Sequence, residues 1–146
     1  MGNLNEIISE LKTKFTSDTD LSTFCTATYG SEVAVKTGEE RALDIPLKDM
    51  PVVIVSDGHD EREKKRFLFS DKEANLVITC GIVQNDTQKA SEELITFKEL
   101  IKGAIKKDPL LNGKATYSTV VKSRRLKVIV HPLYFMELTL YVNYKN

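Results

Sequence analysis

The chain has 146 residues, with 21 Lys+Arg balanced by 21 Asp+Glu, two Cys and two His. Zero net charge hides a division: residues 1–86 carry 10 basic and 16 acidic side chains, a formal −6, and residues 87–146 carry 11 and 5, a formal +6. A uniformly basic chain points to phosphate neutralisation on nucleic acid, and a uniformly acidic one to solvating or mimicking it. The split excludes both labels for the chain as a whole.

Accessible-area scaling gives ~7,500 Å² folded against ~24,000 Å² unfolded, enough burial for one core, so a single domain spanning 1–146 is expected. An apolar content of 41% with 29% charged residues argues against disorder and against an extended coiled coil. No apolar run approaches the roughly 20 residues a spanning helix needs, and the start, Met1-Gly2-Asn3-Leu4-Asn5-Glu6, has no basic region followed by an apolar one. A soluble protein made in the cytoplasm is the expectation. Cys25 and Cys80 form no C-x-x-C pair and read as buried thiols, and His59 and His131 lie too far apart in sequence for a compact zinc motif.

In chain order, Leu4, Ile7, Ile8, Leu11 and Phe15 make one apolar stripe and Asn3 with Glu6 has capping-box spacing, which predicts a helix over 4–15. The Thr16-Ser17-Asp18-Thr19-Asp20 cluster ends it, because these side chains compete for backbone hydrogen bonds. Leu21, Phe24 and Cys25 permit a short further helical turn before Tyr29-Gly30. Glu32-Val33-Ala34-Val35 reads as a short strand, and Pro51 introduces a buried strand, Val52-Val53-Ile54-Val55, ended by Asp57-Gly58. Residues 59–66 are almost all charged and read as a solvated loop or hairpin arm. Residues 70–75 read as a turn before a strand over 76–83.

Between Thr87 and Lys107, residues Ala90, Leu94, Phe97, Ile101, Ala104 and Ile105 fall on one side of a helix at 100° per residue, with Lys98, Lys102 and Lys106 as a separate stripe. Acids in its first turns and lysines in its last suit the helix dipole, and Asp108-Pro109 ends it. Residues 117–121 and 126–130 read as two β arms around Lys122-Ser123-Arg124-Arg125, or as one bulged strand. The chain closes with a strand alternating Met136, Leu138, Leu140, Val142 and Tyr144 on one face against Glu137, Thr139, Tyr141 and Asn143 on the other. The predicted class is α+β: an antiparallel or mixed sheet with the long amphipathic helix and the N-terminal helix packed on one face.

Chemistry-bearing signals are sparse. Asp57-Gly58-His59-Asp60-Glu61 has the side chains of a metal or acid–base site, but five further charged residues follow at once, and it reads as a solvated connection. No G-x-S-x-G, H-E-x-x-H or C-x-x-C occurs, and Gly113-Lys114 lacks the spacing of a phosphate loop. No catalytic, metal or cofactor residue is expected. The stretch Lys114 to Lys127 holds five basic residues and no acid. It reads as charged protection of an exposed strand edge, as a phosphate-binding arm with Tyr117 for stacking, or as a basic arm docking on an acidic protein surface. The charge split favours the last: a head-to-tail ring needs two unlike, complementary surfaces, whereas a two-fold dimer needs one self-complementary surface.

The amphipathic helix over 4–15, the Phe24…Tyr29-Gly30 segment, the strand Asp49-Met50-Pro51-Val52-Val53-Ile54-Val55, the strand-then-helix unit over 76–107 and the closing Glu137-Leu138-Thr139-Leu140-Tyr141-Val142-Asn143-Tyr144 together resemble the tail-terminator, or tail-completion, proteins of long-tailed bacteriophages. The resemblance covers most of the chain as a pattern of elements. It implies a small sheet with helices on one face and a structural, non-enzymatic role: a homohexameric ring that ends tail-tube polymerisation at the head-proximal end and presents a surface for head joining. The implied partners are other copies of the chain, the tail tube protein and the head-side connector, with no membrane and with nucleic acid at most passing through the ring. The implied location is the virion tail, after assembly in the host cytoplasm. No catalytic motif carries over. On charge alone, the candidate contacts are Arg62, Lys64, Lys65 and Arg66 in the charged loop, and Lys122, Arg124, Arg125 and Lys127 in the basic arm. The alternatives are a head–tail or capsid-associated adaptor of similar fold and a nucleic-acid-binding domain.

Overall fold

The computed structural model describes residues 3–38, 45–65, 70–126 and 131–145, with side chains for all of these except 47, 58–65 and 70. Helix α1 (Leu4–Ser17) starts where the Asn3 side chain accepts the Glu6 amide, and it buries Ile7, Leu11 and Phe15. The Thr16 and Ser17 hydroxyls bond back to the carbonyls of Lys12 and Thr13, and Asp18 then serves two helices: it closes α1 and caps α2 (Thr19–Tyr29) by accepting the Leu21 amide. The predicted short turn is thus an 11-residue helix. Gly30 ends it at φ 75°, a left-handed conformation that glycine adopts without strain.

Strand β1 (Ala34–Thr37) and a single 3-10 turn (Leu47–Asp49) lead to two long strands, β2 (Val52–Lys65) and β3 (Ser70–Val83). Helix α3 (Thr87–Lys107) follows, then β4 (Tyr117–Arg125) and β5 (Leu133–Lys145). The sheet order is β1-β2-β3-β5-β4, with β1 parallel to β2 and all other pairs antiparallel. The class is therefore α+β with a mixed sheet and the helices on one face, as the periodicities predict. Among the described residues, no helix is long and apolar enough to cross a membrane.

Of the two readings of the charged segment, loop or hairpin arm, the structure shows the second: residues 59–65 continue β2 antiparallel to β3, and after a register break between Asp57 and Glu61 the backbone of Arg62 pairs with that of Glu73 and Lys64 with Asp71. One expectation is corrected. The expected turn at 70–75 is the first part of β3, which also pairs along β5 as far as Lys145. On the basic side, β4 is one bulged strand through Arg125; the residues expected to form a second arm lie mostly outside the described ones, as do Arg66 and Lys127.

The main core lies between the helices and one sheet face. Phe15, Leu21, Cys25, Leu94, Phe97 and Ile101 meet Leu76, Ile78, Cys80 and Ile82 of β3 and Met136, Leu138, Leu140 and Val142 of β5. Full burial stabilises each of the larger side chains by about 1.5–3 kcal/mol relative to exposure. The α3 C-terminus is pinned to the α1–α2 junction by Lys107, whose Nζ lies 2.8 Å from Asp18 and 2.9 Å from Asp20, and by a 2.6 Å contact between Lys14 and Asp108. The opposite sheet face is not wholly solvated. Val52 and Ile54 of β2, with Leu133 and Phe135 of β5, form a second apolar cluster beneath Ile45 and Met50. Beyond it, Asn75, Val77, Thr79, Glu137, Thr139 and Tyr141 leave the rest of this face half-exposed.

Candidate interaction surface

The strand order puts the two basic candidate groups at opposite edges. Among the described residues β1 covers β2 only as far as Val55, so Arg62, Lys64 and Lys65 belong to a stretch of β2 with no described strand on that side. Lys122, Arg124 and Arg125 lie on β4, the other edge. The structure therefore does not bring these groups together.

Within β4 the two arginines diverge. The bulge falls at Val121, where the register passes from Val120 opposite Leu140 to Lys122 opposite Thr139, and Val121 is turned outward with 57% of its surface exposed. Past the bulge, Arg124 lies on the open face, where its Nε and one terminal nitrogen are each 3.1 Å from Glu137 Oε1. Arg125 lies on the helix face and donates to the Ser91 hydroxyl of α3 at 3.1 Å. Both are exposed but already engaged within the chain. Lys122 is exposed and makes no ion pair among the described residues.

Between β4 and the C-terminal half of α3 runs a groove of about 250 Å³, lined by Ile105, Pro109, Tyr117 and Val120 with Lys102 and Lys106 alongside. The Ser118 hydroxyl donates to the Pro109 carbonyl at 2.6 Å, tying strand to helix end beneath it. Exposed large hydrophobics occur at separate points along this side: Tyr117 (51%) at the groove and Val121 at the β4 bulge, Leu110 (49%) directly after Pro109, and Ile95 (51%), one helical turn from Ser91 on α3. On the other flank a more polar groove of about 400 Å³ lies between Ile8, Ser9 and Lys12 of α1 and Thr37, Gly38 and Asp57.

Titratable groups elsewhere have structural settings. Cys25 and Cys80 are free, buried thiols, as expected; burial raises the Cys25 pKa to about 12 and raises that of Cys80 as well. The Tyr29 hydroxyl is buried near the Glu93 carboxylate but short of hydrogen-bond geometry, and burial followed by that negative charge raises its pKa. His131 Nδ1 lies 3.2 Å from the Tyr134 hydroxyl. Among the described residues no three His, Cys, Asp or Glu side chains converge, and the side chains of His59, Asp60 and Glu61 lie outside that set.

The lysine stripe was legible in sequence, but the apolar flank was not, because its members come from α3, the following turn and β4. No family model and no curated protein matches the sequence. Among solved structures, the fold is similar to that of a chain in the virion of a native gene transfer agent particle, with a TM-score of 0.61 and 13% identity, over 95% of this chain and 94% of that one. At this identity the likeness establishes a shared fold, end to end.

Proposed function

We propose that this chain is a structural protein of a phage-like virion and that it caps the head-proximal end of a tail tube. The observation that carries the reading is the nearly full-length likeness to a gene transfer agent virion chain. It is supported by the element pattern that resembles tail terminators and by two sheet flanks that differ in chemistry. Six copies would form a ring. One face of the ring matches the tube, and the other offers no further tube-binding surface, so polymerisation stops without any covalent step. The partners are then other copies of this chain, the tube protein and the head-side connector. Nucleic acid is at most in passage through the ring, and the protein resides in the virion tail after assembly in the host cytoplasm.

Negative-stain microscopy of the purified protein mixed with tail tubes tests this reading. Rings at one tube end, with elongation arrested, are expected. Bare tubes that keep growing contradict it. The second reading, a head–tail or capsid-associated adaptor, draws on the same virion likeness. It predicts binding to connector or capsid protein with tube length unaffected. A nucleic-acid-binding role ranks lower, because Arg124 and Arg125 are occupied by Glu137 and Ser91.

A further inference from the structure

The groove between α3 and β4 brings together an apolar lining, an uncompensated charge and a strand edge. Ile105, Pro109, Tyr117 and Val120 supply the first, and Lys102 and Lys106 the second, with no carboxylate among the lining residues. Lys98 and Lys107 of the same helix are ion-paired, whereas Lys102 and Lys106 make no ion pair among the described residues. The strand edge follows from the register. Ser118 and Val120 stand opposite Val142 and Leu140 on the helix face, and Tyr117 and Thr119 opposite Asn143 and Tyr141 on the other. All four line the groove, so it runs along the outer edge of β4 itself. β4 ends the sheet, with no strand beyond it among the described residues, and its register stays regular from Tyr117 until the bulge at Val121. At about 250 Å³ the groove is smaller than a small-molecule site of ~300–1,000 Å³, and it suits side chains of a passing segment.

We propose that this groove receives an extended, acidic segment of another protein, which adds to β4 as a further strand. Its main chain pairs with the edge from Tyr117 to Val120, an apolar side chain packs against Ile105 and Val120, and its carboxylates meet Lys102 and Lys106. In such strand addition the main-chain bonds supply affinity and the side-chain pockets supply specificity. Nucleic acid would satisfy the lysines and leave the apolar lining and the strand edge unmatched. A fatty acid would leave the edge unmatched. The chain's own terminal strands fit poorly, since β1 (Ala34–Thr37) and β4 carry lysine or arginine and no carboxylate. The inference goes beyond tail capping and does not depend on it, because it names the partner by chemistry and not by a place in a virion.

Titration of the full chain with defined peptides, followed by amide-resolved NMR, tests it. The probe is an acetylated and amidated heptapeptide with threonine at the odd positions and glutamate, leucine and glutamate at the even ones. Companion peptides replace both glutamates by glutamine or by lysine, or carry N-methyl groups on the odd or on the even residues. The glutamate peptide is expected to bind saturably and to shift the amides from Tyr117 to Val120. The glutamine peptide should bind several-fold more weakly and the lysine peptide not at all. One N-methyl set should abolish binding and the other retain it, because alternate amides of an added strand face its neighbour. Lys102→Glu with Lys106→Glu should weaken the glutamate peptide several-fold in low salt and admit the lysine peptide, with circular dichroism unchanged; the neutral pair Lys102→Gln with Lys106→Gln should give a smaller loss. No saturable binding up to millimolar peptide overturns the proposal, as does equal binding of the glutamine peptide, retention of both N-methyl sets, or shifts confined to other amides. Shifts of the same amides with protein concentration alone would make a second copy the occupant, and tighter binding of duplex DNA at these amides would make it nucleic acid; either result also overturns the proposal.

Discussion

Gly81 sits near the C-terminal end of β3 directly opposite Phe135 of β5, and the phenyl ring lies over the space where a side chain would be. A Cβ at this position would come 2.6 Å from Phe135 Cε1, 2.8 Å from Cδ1 and 3.0 Å from Val52 Cγ1, so the ring would have to retreat by about 0.8 Å to reach the 3.4 Å at which ordinary contact begins. It has little room to do so, since Phe135 is 3% exposed and Val52 fully buried in the second apolar cluster. Overpacking of this kind costs about 1–3 kcal/mol. For a chain of this size that lowers Tm by roughly 2–4 °C per kcal/mol. Gly81→Ala should therefore lower the urea midpoint without changing the slope of the transition, which reports the surface exposed on unfolding. Phe135→Leu, which removes the clashing atoms, should recover part of the loss, giving a coupling of about 1 kcal/mol in the double-mutant cycle. Wild-type stability in Gly81→Ala, or strict additivity with Phe135→Leu, would refute the account of this cluster.

Further outcomes follow from the caps, ion pairs and thiols. Asp86 caps α3 by accepting the amides of Gln88 and Lys89, so Asp86→Ala should cost about 1 kcal/mol in urea denaturation. The Asp108 pKa is held below its ordinary 3.8 chiefly by the hydrogen bond from Lys14, with burial opposing and the Asn112 amide helping. Because the folded value is the lower one, its stabilisation is complete above the ordinary value and is lost as the pH falls through the folded value. Asp108→Asn should thus destabilise the chain near neutral pH, and denaturation across a pH series should show the difference closing in acid. Cys25 and Cys80 should resist a thiol reagent in the native protein and react fully in denaturant; prompt native reaction would contradict their burial. Arg124→Glu with Arg125→Glu should weaken self-association in sedimentation while the fold is retained, although it also places a carboxylate beside Glu137.

What the sequence made legible was periodic. α1, α3 and the helix-facing side of β5 each repeat one pattern long enough to define a face, and their buried residues are the ones the pattern names. The charged part of β2 was legible only as loop or hairpin arm and the start of β3 was misread as a turn, because charged residues are poor strand formers by pattern and the backbone ladder that extends both depends on pairing between the two strands. Likewise Leu133 and Phe135 alternate onto the otherwise polar face, but their burial depends on Ile45 and Met50, which lie more than 80 residues upstream. The basic arm was legible as charge. That its two arginines point to opposite faces and are engaged by Glu137 and Ser91 depends on the bulge at Val121, for which the alternation around it gives only the option of a bulged strand.

The central claim is tested most directly by deleting this chain's gene from a producing phage-like particle and measuring tail length and head attachment by electron microscopy. Tail termination predicts overlong tails of variable length that lack heads, with both defects corrected by the wild-type chain supplied in trans. Tails of normal, uniform length in the deletion would contradict it.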